Sequence, residues 1–177
     1  DWLFDQLVAQ HGDRIDDIAT AARSRPPMVL RVNNTQVTRD DYLGHLAETG
    51  IEAIPCNEQQ AGITLAHGVD VMRLPGFLKG WVSVQDQSAQ CVPQLLDPRP
   101  GERILDACAA PGGKACHLLE HEPALDELVA CDISESRLTK VAESSQRLGL
   151  GLQIKTVVAD ARELPRNILA TPFDAIL

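Results

Sequence analysis

Asp106-Ala107-Cys108-Ala109-Ala110-Pro111-Gly112-Gly113-Lys114 decides how this chain reads. The stretch follows a short apolar run, Ile104-Leu105, and opens a segment with helical spacing. That is the order strand, tight turn, helix. Such a turn must be nearly free of side chains if the backbone is to approach a ligand. Gly112 and Gly113 supply that freedom, and Pro111 stiffens the entry. The helix behind the turn directs its first amides at whatever sits there and favours an anionic group, and Lys114 adds a cation at the same place.

Outward from this loop, strands and helices alternate from Glu102 onward. The strand candidates are 103–106, 128–132, 154–160 and 173–177. The clearest helix between them is 134–148, with Ser134 as its cap and Gly149 as its stop. Alternation of this kind predicts a parallel sheet with right-handed crossovers, and ligands bind at the carboxyl ends of its strands. Three of the four strands finish in an acidic residue: Asp106, Asp132 and Asp160. Asp132 comes twenty residues after Gly112, the separation at which a carboxylate after the second strand meets ribose hydroxyls.

Upstream the pattern is different. Segments 2–11 and 15–22 carry helical spacing, Asp13 is the expected cap between them, and Pro26-Pro27 ends the second. Residues 28–33 read as a strand, and Thr38 caps a helix that stops at Gly50. Short strands at 51–54 and 63–66 complete a small α+β unit. Residues 81–85 alternate as a strand, and a helix spans 88–96 until Pro98 and Pro100-Gly101 break the pattern. The expected boundary falls near Gly80, giving a unit over 1–80 and a second over 81–177.

Bulk properties exclude several classes. Hydrophobic residues make up 44% and charged residues 23%, as in an ordinary globular protein. No run approaches the roughly 18 apolar residues of a membrane helix, and the acidic first residues are unlike a secretory leader. The chain opens without Met and stops inside an apolar run, so both ends are expected to lie within a longer protein. Five cysteines, none paired as Cys-x-x-Cys, argue for buried thiols in a reducing cytoplasm rather than zinc or disulfides. His117 and His121 share a helix face but have no third ligand, so no metal site is assigned. A monomer is expected. The net charge of −9 speaks against nucleic acid, yet Arg23, Arg25, Arg31 and Arg39 fall in an interval without any acidic residue. That interval is either a solvated face or an RNA-facing surface.

The loop also discriminates between cofactors. A phosphate-binding P-loop needs Gly where Cys108 stands and Ser or Thr where Ala115 stands. A dinucleotide fingerprint needs Gly-x-Gly-x-x-Gly, which Ala109-Ala110-Pro111-Gly112-Gly113-Lys114 does not supply. S-adenosyl-L-methionine fits better: ribose hydroxyls to Asp132, the carboxylate to the helix start and Lys114, and the adenine amine to Asp160. NAD stays open, because Asp132 serves it equally well.

Three stretches carry a family resemblance. The loop Asp106–Lys114, the run Arg25-Pro26-Pro27-Met28-Val29-Leu30-Arg31-Val32-Asn33 and the run Gly80-Trp81-Val82-Ser83-Val84-Gln85-Asp86 resemble the RNA (cytosine-5) methyltransferases of the Sun (Fmu) family. The likeness extends over essentially the whole chain, with one departure at Ala115-Cys116, where the family carries hydroxyl residues. It implies an incomplete Rossmann-like methyltransferase domain preceded by a small α+β RNA-binding subdomain. It places S-adenosyl-L-methionine against Cys108, Ala109, Ala110, Pro111, Gly112, Gly113, Lys114, Asp132 and Asp160, and ribosomal RNA against the arginine-bearing unit. With aromatics at only 3%, phosphate and shape contacts are expected there rather than base stacking.

Methylation at C5 of cytosine needs a thiolate that adds to C6, and a base that is unstacked to reach the pocket. In the family the cysteines lie in a Pro-Cys motif after the fourth strand and a Thr-Cys motif further on, and neither is present here. Pro55-Cys56 has the right dipeptide in the wrong unit, so no catalytic residue is assigned. Two other classes remain: a catalytically silent cofactor- and RNA-binding assembly protein, and a nicotinamide-dependent oxidoreductase.

Overall fold

The computed structural model describes residues 2–151 and 153–177. Two four-stranded sheets organise them. Helices α1 (Trp2–His11) and α2 (Ile15–Arg23) come first, joined by a 3-10 turn over Gly12–Arg14. Asp13 lies within that turn, and Arg14 occupies the cap position of α2 without a side-chain bond, so the expected Asp13 cap is not formed. The chain runs from the 3-10 turn into α2 without the extended residue that a capping side chain needs.

The first sheet holds β1 (Val29–Val32), β2 (Ala53–Pro55), β3 (Gly62–Leu65) and β4 (Val82–Val84) in the antiparallel order β2-β3-β1-β4. Helix α3 (Arg39–Glu48) packs on it, and the Thr38 hydroxyl accepts the Asp41 amide at 3.2 Å as the expected cap. Leu30, Val32, Tyr42, Leu46, Ile63, Leu65 and Val82 form the core of this unit. The strand read at 81–85 therefore belongs to the first sheet. Leu30, Arg31 and Val32 pair with Val84, Ser83 and Val82, so the first sheet continues past Gly80.

Helix α4 (Val92–Leu96) leads into the second sheet, built from β5 (Arg103–Asp106), β6 (Glu127–Asp132), β7 (Ile154–Val158) and β8 (Ala175–Ile176). All its pairs are parallel and the order is β7-β6-β5-β8. The connections are α5 (Gly113–His121), α6 (Glu135–Leu148) and the short α7 (Arg166–Leu169). Alternation along the strands divides the core between two faces. Ile104 and Leu128 pack with Leu118 and Leu119 of α5, while Leu105 and Val129 pack with Ile168 of α7. The chain leaves β5 toward β6 on one side and returns as β8 on the other. That reversal opens a crevice at the carboxyl ends of the strands.

Arginines from both units join them. Arg31 of β1 is 1% exposed and reaches α5. Arg147 of α6 donates to the carbonyls of Phe77 and Val82 and to Ser83 Oγ, with its guanidinium 4.2 Å from the Phe77 ring centre. Gly80 lies against the Arg147 carbonyl so closely that a Cβ there would sit 2.3 Å from the oxygen.

Candidate cofactor site

The crevice is built from the carboxyl ends of β5 and β6. Asp106, last residue of β5, is 1% exposed and its Oδ1 accepts the Cys108 amide at 3.2 Å. Asp132, last residue of β6, is 4% exposed and its Oδ1 accepts the Ser134 amide at 3.0 Å. Each carboxylate thus satisfies the backbone two residues on. In both, Oδ2 is buried without a hydrogen-bond partner. A buried, half-satisfied carboxylate is costly unless a donor reaches it. For Asp106, burial pushes the carboxyl above its ordinary range, against the opposing pull of the Cys108 amide and the Lys114 charge, and the negative charge of Asp132 adds to the rise.

Between the two aspartates the chain makes a close turn. Ala109 donates its amide to the Cys131 carbonyl at 2.9 Å, Gly112 donates to the Ala109 carbonyl at 2.6 Å, and the Ala110-Pro111 bond is cis. Ala109 and Ala110 are buried against Leu138 and Val141 of α6. Gly112 has φ +101°, and α5 begins at Gly113 with its first amides at the mouth of the crevice. Lys114 is half-buried in that first turn, and the Cys108 side chain is exposed. The structure therefore brings Cys108 through Lys114 and Asp132 into one cleft.

Asp160 stands apart from the other two aspartates. It follows β7 beside Asp132, whose carbonyl accepts the Ala159 amide, but its own carboxylate is taken up by the Arg162 amide and guanidinium. That partner holds the Asp160 carboxyl below its ordinary range. The Ser134 side chain makes no cap bond to α6. Its amide is instead drawn to Asp132, and Ser134 Oγ lies near Ser136 Oγ.

Three further residues border the crevice. Arg137 donates to the Ala110 carbonyl at 2.7 Å and brings Nη1 within 3.3 Å of Asp132 Oδ2 as a charge contact, bracing loop and carboxylate together. Ile133, directly after Asp132, is 76% exposed, a large apolar side chain held in solvent at the edge of the cleft. Asp106 is the third. The sequence signal for all three is adjacency: the strand-end acid before the loop, the residue after the second acid, and the arginine one helical turn beyond.

The arginines separate into different roles. Arg31 is internal: Nε and Nη2 donate to the two Glu120 oxygens, and Nη1 donates to Gln85 and to the Gly113 carbonyl. It cannot face RNA, because β1 is an inner strand and its side chain is covered by α5. Arg39 donates to the carbonyls of Cys56 and Gln59, tying the β2–β3 loop down. Arg23 and Arg25 are exposed.

Comparison with known proteins matches both units. A family model described as the ferredoxin-like domain of the RsmF/B-like methyltransferases covers residues 1–72, and one described as 16S rRNA methyltransferase RsmB/F covers residues 93–177. The ribosomal RNA small subunit methyltransferase B of Pseudomonas syringae pv. tomato is 47% identical over 99% of this chain and 39% of its own length. The chain thus spans about two fifths of the curated relatives it matches. A methyltransferase homologue from Pyrococcus horikoshii superposes with a TM-score of 0.80 at 29% identity, over 94% of this chain and 54% of that one. NSun6 from Pyrococcus horikoshii, solved with SFG, shares the fold at a TM-score of 0.88 and 18% identity, over 98% of this chain and 68% of that one. A loop of this geometry, a ferredoxin-like sheet before it and two family models that together match residues 1–72 and 93–177 lead to one conclusion: the chain belongs to the RsmB/F family of 16S rRNA methyltransferases.

Proposed function

We propose that the chain is the cofactor-binding part of an enzyme that moves a methyl group from S-adenosyl-L-methionine to C5 of a cytosine in small-subunit ribosomal RNA. The observation that carries the reading is the pair of buried strand-end carboxylates on either side of the Gly112-Gly113 turn, with Asp106 Oδ2 making no hydrogen bond and Asp132 Oδ2 meeting only the Arg137 guanidinium at 3.3 Å. Those donors and acceptors fit the cofactor. Asp132 Oδ2 accepts from a ribose hydroxyl, Asp106 Oδ2 accepts from the amino-acid ammonium, and the first amides of α5 with Lys114 hold the carboxylate. Ile133 offers its apolar side to the adenine ring. When bound, the cofactor supplies a methyl group carried on a sulfonium.

Cytosine as acceptor is supported by the loop's resemblance to the cytosine-5 enzymes, and ribosomal RNA by the names of the curated relatives. The thiolate this chemistry needs is not assigned to a cysteine here. Cys116 is buried with its thiol pushed up to about 12, and burial raises Cys131 as well. Cys56 is buried in the first unit, Cys91 is half-buried, and Cys108 lies within the cofactor loop.

Calorimetry with S-adenosyl-L-methionine and with NAD tests the reading. Binding of the first and not the second is expected, and the reverse overturns it. Asp132→Ala should weaken binding by about 1.5–3 kcal/mol, the value of a hydrogen bond to a charged group. An unchanged affinity removes Asp132 from the site. Tight cofactor binding without methyl transfer in the longer protein would favour the silent assembly protein instead.

A further inference from the structure

Arg31 holds α5 at two points. Its Nη1 donates to the carbonyl of Gly113, the first residue of the helix, at 2.8 Å, and its Nε and Nη2 meet the two oxygens of Glu120 at 2.9 and 2.7 Å. The same Nη1 is steadied from the other side by Gln85 Oε1 at 2.6 Å. The guanidinium and the Glu120 side chain are 1% and 6% exposed, so no solvent competes for these bonds. Gly113 is also the second glycine of the cofactor loop, and the amides of its turn are those that face the ligand. A carbonyl gripped from behind fixes where the amides of the same turn point.

From this geometry we infer that Arg31, a residue of the ferredoxin-like unit, is a positioning residue for the cofactor loop of the other unit. The inference rests on the cofactor reading above. It requires the planar fork of arginine, since a lysine ammonium has neither the reach nor the paired donors to hold a carbonyl and a carboxylate together. Arg147 provides an internal comparison. It is half-buried and also joins the two units, but its bonds go to Phe77, Val82 and Ser83, none of which belongs to the loop.

The experiment compares Arg31→Lys with Arg147→Lys in this chain, reading thermal stability together with calorimetric affinity for S-adenosyl-L-methionine and for adenosine. Both variants should melt earlier. Arg31→Lys should bind S-adenosyl-L-methionine at least tenfold more weakly while losing less than twofold for adenosine, which lacks the amino-acid end. Arg147→Lys should stay within twofold for both. Equal losses in the two variants, or an unchanged affinity in Arg31→Lys, overturn the inference. If Arg31→Lys does not fold, Gln85→Met takes its place, with an expected loss of about threefold, and an unchanged affinity there is equally fatal. Should the wild-type chain bind no S-adenosyl-L-methionine, the cofactor reading fails separately. Amide exchange at Gly113, Lys114 and Ala115 then decides the positioning role: it quickens in Arg31→Lys and not in Arg147→Lys, and equal exchange rules the role out.

Discussion

Gly112 and Val141 meet with no room for a side chain between them: a Cβ on Gly112 would lie 3.1 Å from the Val141 Cα and 3.3 Å from its Cγ1. The same glycine has φ +101°, so both its backbone and its surroundings disfavour a side chain. Gly112→Ala is expected to cost about 1–3 kcal/mol from backbone strain alone, with the Val141 clash added, and to abolish cofactor binding. Gly101 is the control, because it has φ +81° with nothing within 4 Å of a Cβ. Gly101→Ala should carry the strain only and bind cofactor normally. Equal denaturant midpoints for the two variants would discount the clash.

His117 should make the fold sensitive to mild acid. Its Nδ1 is buried without a partner, and burial, helped by the charges of Arg31 and His121, pushes the imidazole down to about 3. The unfolded chain takes up a proton near pH 6.5 while the folded one does not. The stability is therefore complete above about pH 6.5 and is lost as pH falls toward 3, at up to about 1.4 kcal/mol per pH unit. Asp106 and Glu120 act in the opposite sense, because burial raises their carboxyls, and their contribution is lost as pH rises through the folded values. Unfolding of wild type and His117→Leu at pH 7, 5.5 and 4.5 separates them. The variant should lose less stability on acidification, and parallel curves would acquit His117.

Arg103 should be among the costliest residues to remove. Its guanidinium donates to Glu127 at 2.6 Å and to the carbonyls of Thr171 and Ile168 at 2.6 and 3.1 Å, and it sits 4.1 Å from the Phe173 ring centre. Truncation leaves two carbonyls without their donor and Glu127 with Lys155 alone, so Arg103→Met is expected to cost about 2–3 kcal/mol. Lys155 meets the same Glu127 at 3.4 Å but is half-exposed, and Lys155→Ala should stay within about 1 kcal/mol. A small loss on Arg103→Met would show that the segment after α7 is not anchored through this residue.

The exposed arginines bear on RNA. With Arg31 internal and Arg39 tied to a loop, Arg23 and Arg25 are the members of that interval left to meet phosphate. Neutralising both should flatten the salt dependence of RNA binding, by about 0.7 in slope for each single-strand phosphate that no longer meets a cation. An unaltered slope would move the RNA surface elsewhere.

The cofactor unit was legible because its elements are local. The glycine pair, the strand-end aspartates and the alternation of strand and helix each act within a few residues, and the parallel sheet follows from them. Thr38 and Gly149 are equally local and serve as the expected cap and stop. At Arg31 what escaped was long-range. Arg31 reads as a surface charge in any window, and only the arrival of Glu120, 89 positions later, makes it internal. Asp160 carries the same strand-end signature as Asp106 and Asp132, yet Arg162, two residues on, claims its carboxylate. Asp13 has the right residue type for a cap, but it sits inside a 3-10 turn that runs straight into the helix.

The pairing of β4 with β1 has a practical corollary for dissecting the molecule. A cut at Gly80 would strip the small sheet of an edge strand and hand it to the other fragment as an apolar tail, inviting each piece to aggregate through its exposed rim. A cut between α4 and β5 leaves both sheets whole. Even then the fragments would part Glu120 from Arg31, each keeping half of a buried ion pair, so recombination in trans is the natural way to weigh the joint.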